Sequence, residues 1–455
     1  MKKIILTILA AAITLASCSK ADELSRPSVN LKVVVVQVEL PEDQPSNLLS
    51  GIDIKLTSGE MAYDSKTDEV GKAEFKVPSG VYSVFATGKT SSDNELTVLN
   101  GSKEEVVVDD NWDSTNPIII SLVASKSNQI VIKEIYVGGL IDPVTEKNYL
   151  YDSYFSLYNN SPVEANLKNL AFAIAPGASN KVSATMWGFI DYKGEQSYAS
   201  EDWIPLQQCI WYFQNDVIMP PYSQIDICIA GAINHKVTFP QAIDMSNVDY
   251  VTYDPEGGMD HGYFYPAPSE NIPSSHYCKT VLYGQGFGWM IPIDSPALII
   301  FSTHGQTPEA WAKSDATTVY PEGLEDDEMF VFKRLPRAWV IDAVEVFDID
   351  HADDDIKRLT PDLDGGYIYH QYSKGYAIYR NVDKEATEAY PANAGKLSYD
   401  YSLGTAGSIP LGSTDPSEID AEASMRNGAK IIYKDTNNST NDFHLRVKPS
   451  LKDID

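Results

Sequence analysis

The chain is poor in positive charge: across 455 residues, 35 Lys and Arg stand against 64 Asp and Glu, a formal net charge of −29. Phosphate binding needs a basic footprint, so a nucleic-acid partner is excluded, and the acidity reads as a solvated exterior. Cysteine is scarce, four in all, and Cys18, Cys209, Cys228 and Cys278 show no CxxC or other metal spacing. With Cys18 set aside, one disulfide at most can form within the chain. Cys209 in CIWYF and Cys228 in IDICIA read as small core residues and not as catalytic thiols. The sequence lacks HExxH, GxSxG, a P-loop lysine and a GxGxxG frame, which removes the common zinc-protease, serine-hydrolase and nucleotide-binding signatures. His261, His276 and His304 fall in one region and could converge on a transition metal, yet without i, i+4 pairing they read as separate loop residues. The acidic tract 348–355 lacks the glycine and the distant Glu of a calcium loop and reads as solvated. No metal, cofactor or catalytic residue is expected.

What is present begins at the N-terminus. Met1-Lys2-Lys3 is a basic start, and the uncharged stretch 4–15 is too short to span a bilayer. With the small residues that follow it, this stretch reads as a signal peptide. The four residues Leu15-Ala16-Ser17-Cys18 resemble the lipobox of bacterial lipoproteins. That resemblance implies removal of residues 1–17, a lipid on Cys18, and anchoring to a membrane by its acyl chains. The next segment, Ser19-Lys20-Ala21-Asp22-Glu23, is similar to the export signal that carries Bacteroidetes lipoproteins to the cell surface. An outer-membrane, surface-exposed location is therefore expected, with 18–30 as the lipidated tether.

From Leu31 the pattern is β throughout, with strands expected near 31–40, 51–57, 72–77, 81–87, 104–108 and 118–123. Ala73, Phe75 and Val77 alternate with Lys72, Glu74 and Lys76, giving one dry face and one wet face. Gly71 and Pro78-Ser79-Gly80 punctuate this unit as turns. The phrase from Thr67 to Tyr82 resembles that of transthyretin-like, or carboxypeptidase-regulatory-like, sandwiches. The resemblance implies a prealbumin-like β-sandwich over 31–124, of the kind that serves as a spacer or docking unit.

A second unit begins at Gln129. The run IVIKEIYV stops at Gly138-Gly139, and a second run, 154–158, stops at Asn159-Asn160. Together with Leu157-Tyr158-Asn159-Asn160-Ser161, Met219-Pro220-Pro221-Tyr222 and the C-terminal Asp435 to Phe443 phrase, these residues resemble a family of Bacteroidetes lipoproteins of unassigned function. The resemblance implies an immunoglobulin-like, lamin-tail-like β-sandwich over 129–450, carrying a long insertion at 240–335. The expected fold class is thus all-β, two sandwiches in series, in agreement with a length too great for one core. The 435–442 phrase reads as a turn whose side chains cap their own backbone.

The region 240–335 is dense in aromatics, and loops on a sandwich are where recognition is placed. Tyr263, Tyr265, Tyr277, Tyr283 and Trp289 are the candidate binding residues, because aromatic faces stack on sugars and planar ligands. The expected function is a non-catalytic binding or accessory protein of nutrient uptake, with an outer-membrane transporter as partner and a glycan or small molecule as ligand. An adhesive surface protein is the alternative, and a metal-dependent hydrolase using the three His residues is a third.

Overall fold

The computed structural model describes residues 30–452, apart from 42–43, 60, 93–94, 127–128, 263, 285–290, 326 and 400–414. It is mostly β, with several sheets and short helices. Eight strands form the N-terminal body: β1 Lys32–Glu39, β2 Asp53–Ser58, β3 Met61–Lys66, β4 Lys72–Val77, β5 Gly80–Ser92, β6 Glu95–Val108, β7 Ile118–Ser121 and β8 Val123–Lys126. A three-stranded sheet, β4-β1-β7, faces a five-stranded one, β3-β2-β5-β6-β8. The alternating residues Val34, Val36, Ile54, Phe75, Val84 and Ile120 fill the space between them. Strand β4 behaves as its sequence reads, with Ala73, Phe75 and Val77 buried and Lys72, Glu74 and Lys76 exposed. Gly71 takes a φ of +79°, the left-handed turn that its position requires. At β5 the outer face is dry beyond its first residues: Val81 is exposed, but Phe85 and Thr87 point away from the sandwich core and are nevertheless buried.

The remaining chain folds around a twelve-stranded sheet. Its strands are β9 Ile130–Tyr136, β10 Tyr154–Asn159, β11 Leu170–Ile174, β12 Cys209–Tyr212, β13 Gln224–Cys228 and β14 Tyr250–Thr252, followed by β15 Tyr277–Leu282, β16 Ala297–Ser302, β17 Val340–Asp348, β18 Ile368–His370, β19 Ala377–Arg380 and β20 Phe443–Arg446. The order is β18-β17-β16-β11-β12-β15-β14-β13-β10-β9-β19-β20, and the sheet curls into a nearly closed, barrel-like layer. Ile132, Phe155, Phe172, Trp211, Ile300 and Val344 belong to its inner core. The outer face of β11 and β16 is covered as well, by a small sheet of Trp203–Gln207, Phe332–Pro336 and Thr318–Val319 and by the helix Pro308–Lys313. With both faces covered, these strands are continuous apolar runs, as LAFAI and ALIIF show. Residues 240–335 supply β14, β15 and β16, so the stretch expected as an insertion furnishes three consecutive strands of the sheet body. Gly138 and Gly139, at φ of +73° and +88°, make the break expected after β9.

Strand β9 departs from simple alternation. Ile132 pairs with Leu157 and Glu134 with Ser156, which leaves Lys133 as an extra residue in a β-bulge. Ile132 and Ile135 both face the inner core as a result, and the two charged residues between them face the covering layer. Beyond the bulge, β19 pairs with β9 only at Ile135 and Glu134. The backbone of Ile132 is satisfied by side chains instead: its N–H donates to Asp342 Oδ2 at 2.6 Å, and its carbonyl accepts from Arg380 Nε at 2.7 Å.

Candidate functional site

Charged residues accumulate on the outer side of the β9 bulge. Lys133 Nζ donates to Gln224 Oε1 at 2.5 Å and stands 3.6 Å from Glu422 Oε1. Glu422, on the helix Ala421–Arg426, also meets Arg446 Nη1 at 2.6 Å and accepts the Tyr379 hydroxyl. The Arg446 guanidinium lies 3.8 Å from the centroid of the Tyr379 ring, and Tyr379 and Tyr433 join hydroxyls at 2.9 Å. Burial alone would raise the Glu422 carboxyl, but the Arg446 and Lys133 charges outweigh it and hold the group down at about 2. Glu134 accepts Ser450 N at 2.8 Å and the Ser450 hydroxyl, which pins the end of the chain to β9. A second arginine, Arg380, meets Asp342, Asp435 and Asp442, the last two at 3.6 and 3.7 Å. Side chains in both clusters are at most 9 % exposed, so their charges are spent on one another. These clusters are locks between elements, and substrate has no access to them.

The phrase 435–442 does bond its own backbone, as a turn of capping side chains should, but it does more than turn the chain. Asn438 does cap the short helix Ser439–Asp442, accepting from Thr440 N, but the segment lies buried against the N-terminal body. Thr87 Oγ1 accepts Asn441 Nδ2 at 2.6 Å and Asn438 Nδ2 at 3.2 Å, and donates to Asn100 Oδ1 at 3.0 Å. Asn100 Nδ2 donates to the Asn437 carbonyl at 3.0 Å and to that of Thr436. Beside this amide ladder Phe85 packs edge-on to Tyr367, which stacks on Phe347 with centroids 4.0 Å apart. The dry outer face of β5 is therefore a junction between the two bodies.

Of the aromatic residues singled out from sequence, the three that are described do not converge. Tyr263 and Trp289 lie outside the described residues. Tyr265 is 1 % exposed and packs on Trp211 in the inner core, centroids 5.7 Å apart, so it fills volume and cannot meet a ligand at the surface. Tyr277 packs edge-on to Tyr253 over a second apolar cluster. Tyr283 lies against a third, with Lys333 Nζ 5.6 Å from its ring centroid. The histidines are likewise apart in role: His276 Nδ1 bonds the Asp249 carbonyl at 2.8 Å and stacks on Tyr250, His304 lies beside Trp339, and His261 packs on Phe264 and Tyr265. Among the described residues, no three His, Cys, Asp or Glu side chains group to hold a metal ion. Cys209, Cys228 and Cys278 are free and buried, and burial pushes their thiols up, that of Cys228 to about 12. Cys209 and Cys228 are core residues, as read from their apolar runs, and Cys278 lies in the core as well.

An open concavity occurs where sequence reasoning did not look, on the N-terminal body. A groove of about 300 Å³ is lined by Lys103, Glu105 and Val106 of β6, by Trp112, Asp113, Asn116 and Pro117 of the crossing to β7, and by Ile118 of β7. Trp112 Nε1 donates to the Val33 carbonyl at 2.9 Å, which fixes the indole against β1. Asp113 accepts Thr115 N at 2.9 Å, Thr115 Oγ1 at 2.6 Å and Asn116 Nδ2 at 2.7 Å; the Thr115 hydroxyl and amide hold its carboxyl below the usual carboxylate range. The loop is thus folded on its own side chains. The one signal in the sequence was a tryptophan inside the polar stretch Asp109 to Asn116, where no strand pattern demands an aromatic.

Comparison with known proteins adds a family context. No curated protein matches the chain. It is similar to a DUF4876 family protein from Bacteroides thetaiotaomicron VPI-5482 known from a crystal structure, at 20% identity and a TM-score of 0.49, over 90% of this chain and 94% of that one. Residues 220–399, from the turn before β13 to the segment beyond β19, match the family model described as "Protein of unknown function (DUF4876)".

Proposed function

We propose that the protein is a non-catalytic lipoprotein of the bacterial outer membrane, held at the cell surface by lipid on Cys18 and serving as a binding or accessory component of nutrient uptake beside an outer-membrane transporter. The observation that carries this reading is the phrase Leu15-Ala16-Ser17-Cys18 ahead of a polar stretch that reaches β1 at Lys32. Dual or triple acylation gives stable anchoring, and thirteen residues of tether span up to about 45 Å at full extension. The fold agrees with such a role. In this reading the N-terminal body is the transthyretin-like, carboxypeptidase-regulatory-like module, and the twelve-stranded body is an elaborated lamin-tail-like sandwich. The ionic clusters and the junction make the two a stiff platform whose surface is free for contact.

The experiment is a pull-down of the tagged protein from native outer membrane, with acyl labelling and surface proteolysis of whole cells alongside. The expected result is label lost in Cys18→Ser, cleavage by external protease, and a barrel protein co-purifying. A protein that carries no lipid and brings down neither partner nor ligand would overturn the proposal.

A further inference from the structure

We infer that the groove around Trp112 is a saccharide subsite, taking one or two neutral pyranose rings. The assignment rests on the capture reading and names its ligand class and its place. The groove has two unlike parts. Its floor is apolar, with Val106 and Ile118 buried and Pro117 and Trp112 half-buried, the indole packed against the sandwich core. Its rim is polar and exposed, with the Lys103 ammonium, the Glu105 and Asp113 carboxylates and the Asn116 amide. A ligand that matches both needs a flat C–H face to lie on the indole and an edge of hydroxyls that both donate and accept. A pyranose ring has that form, and aromatic platforms with a few placed polar groups are the usual construction of small-ligand sites.

Charge and hydrogen bonding exclude the competing occupants. Two carboxylates against one ammonium repel phosphates, nucleotides and acidic sugars. A metal is disfavoured because Asp113 already accepts three hydrogen bonds from its own loop. A volume of about 300 Å³ is at the lower end for small-molecule sites. Preorganisation favours binding here: the Trp112 ring is fixed through Val33, and the Asp113 loop is closed on Thr115 and Asn116, so little side-chain freedom is lost on contact.

The test is titration of the whole protein with cellotriose, mannotriose, galactotriose and, as the acidic control, trigalacturonate, read by saturation-transfer NMR and calorimetry. At least one neutral trisaccharide binds, the acidic one does not, and Trp112→Ala weakens the binding about tenfold or more. Asn116→Ala, at an exposed position that leaves the core intact, weakens it severalfold and keeps the result readable should Trp112→Ala fold poorly. Absence of binding by every neutral trisaccharide at about 10 mM overturns the assignment. So does binding unchanged in both variants, or a preference for the acidic sugar. None of these outcomes touches the membrane pull-down, so the groove and the surface-lipoprotein reading stand or fall separately.

Discussion

Glu422 is an acid held ionised in the interior by two cations, and its worth shows only when one partner is taken away. Arg446 and Lys133 cannot leave with it, and an uncompensated buried charge costs about 3–5 kcal/mol. Glu422→Gln is therefore expected to lower unfolding stability at pH 7 by about that amount, measured by urea denaturation. The acid limb changes too. The folded-state pKa is about 2, below the ordinary 4.5, so the stabilisation is complete above 4.5 and is lost as the pH falls through 2. The variant loses that slope between pH 4.5 and 2. Asp355 has the opposite sign. Its Oδ1 accepts Ser179 Oγ at 2.8 Å, its Oδ2 is buried without a hydrogen-bond partner, and burial pushes the group up to about 7. Raised above the ordinary 3.8, it contributes stability at low pH that disappears as the pH rises through 7. Asp355→Asn keeps the Ser179 bond and removes the charge. Its stability relative to the native protein should climb between pH 4 and 7 and stay level above; a difference independent of pH would contradict this account.

At the scale of elements, what could be read from the sequence was what alternation and turn residues control. The first strand of the large sheet, expected from 130 with a Gly-Gly stop, is Ile130–Tyr136, and the strand expected at 72–77 is Lys72–Val77. The bulge at Lys133 could not be read, because it exists only relative to β10, and a single strand shows no register. The role of 435–442 was hidden for a related reason: Asn, Thr and Asp bond a neighbouring strand as readily as their own backbone, so composition is the same for a turn and for a junction. The aromatics of 240–335 misled because Tyr serves cores and surfaces alike, and two sheet strands among them, β14 and β15, were not read as strands. Glycine gives a sharper test of the built elements. In β6, a Cβ on Gly101 would meet Ile120 Cγ2 at 2.6 Å and the Ser121 carbonyl at 2.7 Å, so β6 approaches β7 as closely as backbone allows. Gly101→Val should overpack this contact and destabilise the N-terminal body by about 1–3 kcal/mol, whereas Gly59→Ala, in a turn with nothing near the added atom, should cost less than half as much even with its positive φ.

At the scale of the molecule, the question is whether the two bodies act as one. Neighbouring domains within a chain move relative to each other unless their contact is large and dry. The polar members of this contact are paired with one another: Thr87 and Asn100 answer Asn437, Asn438 and Asn441, and the Phe85, Tyr367 and Phe347 rings pack beside them. The same loop is gripped from behind, since Arg380 faces Asp435 and Asp442, and Ser439 donates through its amide and hydroxyl to Asp364 at 2.8 and 2.5 Å. Melting the N-terminal body would thus strip partners from a segment that the β17 and β19 strands depend on, and the loss would be shared. The native protein is expected to unfold in one calorimetric transition. Phe85→Ala removes a ring worth about 3–5 kcal/mol in a packed site, and Asn438→Ala removes its amide bond to Thr87. Together they should resolve the melt into two transitions, an early one for residues 31–126 and a later one for the twelve-stranded body. Two transitions in the native protein, or one in the double variant, would mean that the N-terminal body is a spacer on a hinge. The groove at Trp112 would then have no fixed direction relative to the DUF4876-like segment. If coupling holds, groove and large sheet face any partner at the membrane as a single surface.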